Sequence, residues 1–365
     1  MKEGGAMART GVANLPLHGG KAPRWLFDRM VKLSRAIVET MVCESGPEFV
    51  LKRLADPFWF QALGCVLGFD WHSSGVTTTT CGALKEGTKD IQRELGLYFC
   101  GGKGGASRKT PDEIIAAGDS ISADAAQLVY ASRMSAKVDS AAVQDGYQIY
   151  QHMFAFTSNG GWVVVQQGMN EETRYARRYH WLGEDVSDFV CEPHAAVCCD
   201  SRGQLTLNLV AEESAAVRAR TANIALENPE KLVAELKRVQ ALNLPARHRI
   251  LAADIHPDRI RKTLVSAYER APGDFVSLIG TPNVGPATLR ALTLLSEILY
   301  GDEASFRDPV RFSFAHGGKD GIPYPVDRPG YDKTISMLKK AVLDAKLGRT
   351  EQLDALRRLS RFEPE

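Results

Sequence analysis

The chain has 365 residues, of which 44% are apolar and 24% are charged, and its formal net charge is +1. This composition is typical of a folded protein of two or three domains and excludes a globally disordered chain. Because positive and negative charges nearly balance, any surface that binds nucleic acid must be local.

The cysteines and the apolar runs indicate a cellular compartment. Seven cysteines, an odd number that includes the adjacent Cys198 and Cys199, do not suggest a secreted disulfide framework. No apolar run is long enough to span a bilayer, and the first residues lack the apolar segment of a signal peptide. We therefore expect a cytoplasmic protein without a membrane partner.

Helices dominate the first predicted elements. Leu26, Met30, Leu33 and Ile37 recur at helical spacing after Pro23. Capping patterns mark three further helix starts, at Ser45, Asp56 and Thr110. An alanine-rich stretch from about 123 to 151 is also predicted to be helical, with a break near Gly146.

The periodicity then changes to that of strands. Residues 152–157 and 162–169 flank Asn159-Gly160, a pair that supplies the positive φ angles of a tight β-hairpin turn. Residues 205–210 are predicted to form a third strand. The remaining segments are predicted to be helical, at 213–226, 229–242, 257–270, 286–300, 330–347 and 350–361.

These elements predict two domains with a boundary near 212. The first, residues 1–212, is a mixed α/β (α+β) domain that is expected to carry any catalytic site. The second, residues 213–365, is an all-α domain that is expected to bind nucleic acid.

Residues 274–292 have the pattern of a helix-hairpin-helix module, in which two short helices are joined by a tight glycine-bearing turn. The amides of the turn and the start of the second helix suit a phosphate oxygen, so we expect sequence-independent contact with a DNA backbone. Asn283 stands where this pattern usually has its first glycine, and asparagine tolerates a left-handed backbone. An ordinary glycine-capped helix-loop-helix is the alternative. The candidate binding residues are Gly280, Asn283, Val284, Gly285, Thr288 and Arg290.

A short glycine-lysine motif recurs along the chain. His18-Gly-Gly-Lys21 returns as His316-Gly-Gly-Lys319, and residues 100–103 are a partial copy. Paired glycines permit close approach to an anion, so Lys21 and Lys319 are candidate phosphate contacts. Flexible surface turns with solvated lysines explain the same motif.

Two Asp/His pairs are candidate metal sites. In an extended segment, Asp70 and His72 project from one face, as two ligands of one metal would. In a helix from residue 144, Asp145 and His152 share a face, and Asp139 joins them if the chain turns back. Such ligands favour Mn²⁺ or Mg²⁺ over Zn²⁺. The alternatives are a capping aspartate with an exposed histidine and a capped helix.

Residues 174–181 hold the strongest local basic patch of the first domain. Arg174, Arg177 and Arg178 lie among aromatic residues, a composition that suits phosphate contact and base stacking. A solvated charged loop is the alternative. Lys85 is a candidate for a catalytic cation beside a scissile phosphate. Cys191, His194 and Cys198 resemble a zinc spacing, but no second pair completes four ligands.

Motifs for nucleotide, dinucleotide, serine-hydrolase and HExxH metalloprotease sites are absent from the sequence. Several separated blocks nevertheless resemble the bacterial and archaeal domain-of-unknown-function family numbered seven-six-three, at 15–26, 70–75, 101–103, 143–147, 165–169, 178–181 and 314–321. The resemblance implies no catalytic residue. It suggests which blocks of the sequence belong together, and the preferred metal-site residues come from these blocks or lie near them. They are Asp70, His72, Asp145, His152 and His180.

Three functions compete. The first is a metal-dependent DNA nuclease of repair or recombination, in which the hairpin binds the backbone and carboxylate and imidazole ligands position cations that activate water. The second is a non-enzymatic DNA-binding accessory protein. The third is a base-excision DNA glycosylase, because that superfamily also places a catalytic aspartate after this hairpin, where Asp302 and Asp308 lie.

Overall fold

In a computed structural model, the protein is described at residues 22–69, 74–199, 205–244, 248, 252, 255–312, 328–345 and 348–360. Four candidate site residues fall outside these ranges: Lys21, Asp70, His72 and Lys319. The predicted contributions of these four residues to metal or phosphate binding stay predictions.

The centre of the fold is a five-stranded antiparallel sheet. Its strands, in spatial order, are β1 (Leu97–Lys103), β3 (Gln148–Thr157), β4 (Trp162–Met169), β5 (Ala176–Leu182) and β6 (Ala196–Cys198). A separate short ladder pairs β2 (Val143–Gln144) with β7 (Leu207–Asn208). The β-hairpin predicted around Asn159-Gly160 is confirmed, and Gly160 has a φ of 96° in its turn.

Helices cover both faces of the sheet. The first group is α1 (Arg24–Ser45), α2 (Pro47–Ala55), α3 (Pro57–Val66), α4 (Gly75–Thr88) and α5 (Gln92–Leu95). The next group is α6 (Thr110–Ala116), α7 (Ala125–Lys137), α8 (Ala215–Ile224), α9 (Pro229–Gln240) and α10 (Pro257–Arg270). The last group is α11 (Phe275–Gly280), α12 (Pro286–Leu295), α13 (Arg328–Asp344) and α14 (Arg349–Ser360). A π-helical turn, Val138–Ala142, follows α7.

Two large hydrophobic cores lie on the two faces of the sheet. One contains Met153 and Val165 of the sheet, buried side chains of α1 to α4, and also Leu338 and Leu359 of the last two helices. The other contains Phe154 and buried side chains of α6 to α12. Each core therefore draws residues from both sides of position 212, and the predicted boundary does not separate two hydrophobic cores. The mixed α and β content is confirmed.

Two predicted elements differ from the structure. Residues 148–151 were expected in a helix, but they begin β3, whose Ile149, Tyr150 and Phe154 suit a pleated strand. The strand expected at 205–210 contains only β7, because its partner β2 has two residues. No described helix is long and apolar enough to cross a membrane.

One end of the sheet is polar on both faces. On the face that α4 covers, a cross-strand row joins the five strands through Lys103, Gln151, Gln167, Arg178 and Cys198. On the opposite face, the neighbouring row is Gly102, His152, Gln166, Tyr179 and Val197. Because alternate residues of a strand face opposite sides, adjacent polar residues supply two separate buried clusters.

Candidate functional site

The hairpin at 274–292 consists of α11, a turn of five residues and α12. Asp274 caps α11, since its side chain accepts a hydrogen bond of 2.7 Å from the Ser277 amide. Within the turn, the Val284 amide donates to the Thr281 carbonyl at 3.2 Å. Asn283 has a φ of 66°, so it adopts the left-handed conformation that its sequence position predicts.

The predicted hairpin contacts differ in their burial. Gly280 and Asn283 are exposed, whereas the side chains of Val284 and Thr288 are buried and cannot reach a ligand. Val284 packs in the core that contains α11 and α12, which fixes the turn between these helices. Only backbone atoms of these two buried residues are candidates for ligand contact.

Glycine is not needed by the fold at position 285. Gly285 has a φ of −136°, which any residue adopts, and a Cβ atom there would meet no atom closer than the Asn283 oxygen at 3.9 Å. Among the described residues, none accepts a hydrogen bond from the amides of Gly285, Ala287 and Thr288. These amides lie at the start of a ten-residue helix, where an anion binds favourably.

Gln144 connects the hairpin to the segment before β3. Its Nε2 donates to the Ala141 carbonyl at 2.9 Å and to the Pro286 carbonyl at 3.1 Å. Its Oε1 accepts from Arg290 Nη1 at 2.8 Å. Arg290, expected to contact phosphate, is half-buried and contributes to this connection between α12 and the segment before β3.

A buried hydrogen-bonded chain runs beside this connection. Asp139, in the π-helical turn, accepts from His194 Nε2 at 2.6 Å and from Gln166 Nε2 at 2.5 Å. Gln166 Oε1 lies 2.9 Å from His152 Nδ1, and His152 Nε2 lies 2.9 Å from the Ser132 hydroxyl. The chain therefore links α7, β3, β4 and the loop before β6.

The donors and acceptors fix the protons of this chain. Because the Asp139 carboxylate only accepts, His194 carries hydrogen on Nε2 and, when neutral, presents a lone pair on Nδ1. Gln166 donates to Asp139, so its oxygen accepts from His152 Nδ1, and His152 Nε2 accepts from Ser132. Burial lowers the pKa of His152, which favours this neutral form. The His194 side chain is 7% exposed, and no described residue bonds its Nδ1.

The described metal-ligand candidates do not converge on one cation. The two oxygens of Asp139 and the two ring nitrogens of His152 are engaged by protein partners. His180 faces the opposite side of the sheet, where Nδ1 bonds the Leu54 carbonyl and Nε2 accepts from Arg178. No group of three or more potential ligand residues occurs within the described ranges. These residues therefore do not fit a divalent metal in this arrangement.

Asp145 belongs to a buried ion-pair cluster instead of sharing a helical face with His152. Arg177 donates from Nη1 to Asp145 at 2.8 Å and from Nη2 to Asp308 at 2.8 Å. The Tyr179 hydroxyl also donates to Asp145, at 2.6 Å. Burial raises the pKa of the Asp145 carboxyl, while Arg177 opposes that rise. The predicted shared face was wrong because β3 replaces the expected helix.

The predicted surface patch at 174–181 is also wrong for two of its three arginines. Arg177 and Arg178 are 0% exposed in β5. Arg178 Nη1 donates to the side chains of Gln61 and Thr77, and burial lowers its pKa to about 10. Only Arg174 is exposed. Alternation along the strand buries both neighbouring arginines, one on each face of the sheet.

Lys85 and the two later aspartates have structural partners. Lys85 Nζ lies 2.7 Å from the Glu113 carboxylate and 2.8 Å from the Gly101 carbonyl. Asp302 accepts from Arg220 and Ser296, each at 3.0 Å, and Asp308 bonds Arg177. Both aspartates thus have structural roles, and the glycosylase alternative stays a prediction.

Sequence reasoning missed His194 and Gln166 as partners of Asp139. In the sequence, His194 stands only in a zinc-like spacing, whereas in the structure it lies in a loop beside a buried carboxylate, a typical acid-base arrangement. The sequence does not show this pairing, because 55 positions separate Asp139 from His194. Gln166 gave no signal beyond its strand pattern.

Comparisons with known proteins identify the family. Searches of curated proteins and of solved structures gave no match. The family model described as "Protein of unknown function (DUF763)" matches residues 11–326, which is most of the chain. The family resemblance suggested by the sequence blocks is thus confirmed, and the chain belongs to the DUF763 family of proteins of unknown function.

Proposed function

We propose that the protein binds the DNA backbone, without reading bases, through a helix-hairpin-helix module at 274–292. The observation that carries this proposal is the open backbone at Gly285, where the fold requires no glycine and three amides lack acceptors among the described residues. A phosphate oxygen needs this combination of close approach and N–H donors. Asn283 completes the turn in its left-handed conformation.

Gly285→Ala tests the proposal with little disturbance of the fold. The added methyl has space in the free protein but occupies the position from which phosphate would approach. We expect DNA affinity to fall about tenfold or more, the equivalent of one charge-assisted hydrogen bond of about 1.5 kcal/mol. Fluorescence anisotropy with labelled DNA of two unrelated sequences measures the effect.

Gly273→Ala is the matched control for this experiment. Gly273 also has free space for a Cβ atom, but it precedes α11 and lies outside the turn. Equal affinities of the Gly285→Ala variant and the wild-type protein would refute the proposed binding site. A difference between the two DNA sequences would contradict backbone recognition.

A DNA nuclease is the second candidate function, favoured by the Asp139–His194 pair. The π-helical turn that holds Asp139 is joined to the hairpin through Gln144. In hydrolysis, His194 Nδ1 would take a proton from water while the water oxygen bonds to phosphorus. The bond from phosphorus to the leaving oxygen then breaks, and this oxygen takes a proton from solvent. A Mn²⁺ or Mg²⁺ cofactor remains a prediction that rests on Asp70 and His72.

His194→Gln tests the nuclease, and exposed His256→Gln is the matched control. We expect the first variant to lose DNA cleavage by about 100-fold or more while keeping DNA affinity, as expected for loss of a general base. Cleavage is measured on single-stranded, duplex and branched DNA, with added Mg²⁺ or Mn²⁺ and with a chelator. Unchanged cleavage by His194→Gln would exclude this role, and absence of wild-type turnover would leave the binding function alone.

A further inference from the structure

One side of α7, together with the segment that follows it, runs along the hairpin, as the surroundings of Tyr130, Met134 and Gln144 indicate. Near the start of α11, burial raises the pKa of the Tyr130 hydroxyl and the Asp274 carboxylate adds to the rise. At the end of α11, Met134 Sγ lies 4.0 Å from the position that a Cβ atom on Gly280 would occupy. Past the turn, Gln144 bonds the Pro286 carbonyl.

Lys137 lies between the second and third of these contacts. It is three residues after Met134, so the two side chains occupy neighbouring positions on one side of the helix. Residues of α11 contact both α7 and the π-helical turn that follows Lys137. Residues of α12 also contact this π-helical turn, so the end of α7 at Lys137 adjoins a segment that touches both helices of the hairpin.

The environment of Lys137 lacks a counter-charge. The residue is half-buried, and no carboxylate among the described residues forms an ion pair with its ammonium group. Burial lowers its pKa, because removal of water disfavours the charged form. An anion beside the ammonium group would offset that cost. Lys85, which is also partly buried, has such a partner in Glu113.

We infer that Lys137 is a phosphate-binding residue that acts together with the hairpin, and that one DNA strand lies against both the turn at 281–285 and the end of α7. This inference rests on the proposed function. The hairpin amides bind one phosphate through hydrogen bonds, and Lys137 supplies the point charge that these amides lack. Contact with a strand backbone places no demand on base identity.

Salt dependence of binding isolates this charge. Each phosphate neutralised by a cation contributes about 0.9 to the slope of log affinity against log salt for duplex DNA, and about 0.7 for a single strand. Lys137→Met removes the charge while keeping an unbranched side chain, and Lys137→Arg keeps the charge. Lys89→Ala is the control, because Lys89 is an exposed lysine at the end of α4 on the opposite side of the sheet.

We expect Lys137→Met to weaken binding severalfold and to lower the slope by nearly one, with equal effects on unrelated sequences. Lys137→Arg and Lys89→Ala should keep the wild-type slope. Circular dichroism of each variant verifies that it is folded. An unchanged slope in folded Lys137→Met, or an equal loss in Lys89→Ala, would overturn the inference.

Gly285→Ala in the same titration separates the two proposals. If Gly285→Ala weakens binding while Lys137→Met does not, the hairpin function stands and the role of Lys137 fails. If Gly285→Ala has no effect, the hairpin function itself fails, and with it the basis for Lys137.

Discussion

The arginines of β5 and the turn at 281–285 differ in charge and in accessibility to a ligand. Arg177 and Arg178 carry two positive charges, yet both are fully buried and bonded within the protein. The turn carries no charge, yet its backbone is open and Asn283 is exposed. The contrast teaches that the number of charges in a segment does not predict an anion site, because accessibility decides which groups can bind.

Loss of Arg177 is expected to cause the largest fall in the free energy of unfolding. Arg177→Leu leaves Asp145 and Asp308 without the guanidinium between them, so the free energy of unfolding should fall by about 3–5 kcal/mol. Urea unfolding followed by circular dichroism measures this loss. Exposed Arg174→Ala is the control, with an expected change within about 0.5 kcal/mol. Equal stabilities of these two variants would contradict a structural role for Arg177.

Acid pH should destabilise the protein through its buried histidines. Burial lowers the pKa of His152 and His180, so the unfolded chain binds protons that the native state does not. Stability should therefore fall as the pH drops below about 6.5, the unperturbed histidine pKa. Each imidazole contributes at most about 1.4 kcal/mol per pH unit.

Urea unfolding at pH 7, 6 and 5 measures this pH dependence. His152→Gln removes one of the two imidazoles and should make the dependence shallower than in the wild-type protein. A variant with the wild-type dependence would show that His152 does not contribute.

Substitution of Asn283 should give the smallest change in the free energy of unfolding and the clearest change in DNA affinity. Valine at φ 66° is strained, so Asn283→Val should cost about 1–3 kcal/mol and weaken DNA binding. Asn283→Gly adopts the same angle freely and should retain both stability and affinity. Unfolding and anisotropy titrations of the two variants provide the comparison. Equal DNA affinities would show that the turn conformation is not used in binding.

Local features of the fold were predictable from sequence, and long-range pairings were not. Asn159-Gly160 and the cap at Asp56 act over a few residues, so the β-hairpin and the start of α3 follow from them. Helix 257–270 was predicted with the bounds that the structure gives. By contrast, residues 148–151 have no local signal strong enough to distinguish a strand from a continued helix.

The candidate site shows the same limit. The left-handed Asn283 was predictable, because it depends on residues next to it. The Asp139–His194 pair joins the π-helical turn to the loop before β6, and no spacing in the sequence indicates this pairing. The burial of Arg177 was not predictable either, since its partner Asp308 is 131 positions away.

The packing of α13 and α14 against α1 and α3 has a consequence for synthesis of the chain. Leu338 and Leu359 complete a core whose other members include Met30 and Phe60. Domains usually fold as units while they leave the ribosome, with the N-terminal part first. Here the first helices cannot bury their full apolar surface until residues 338–359 have been translated, so the nascent protein must keep this surface from aggregating while more than 300 residues are synthesised.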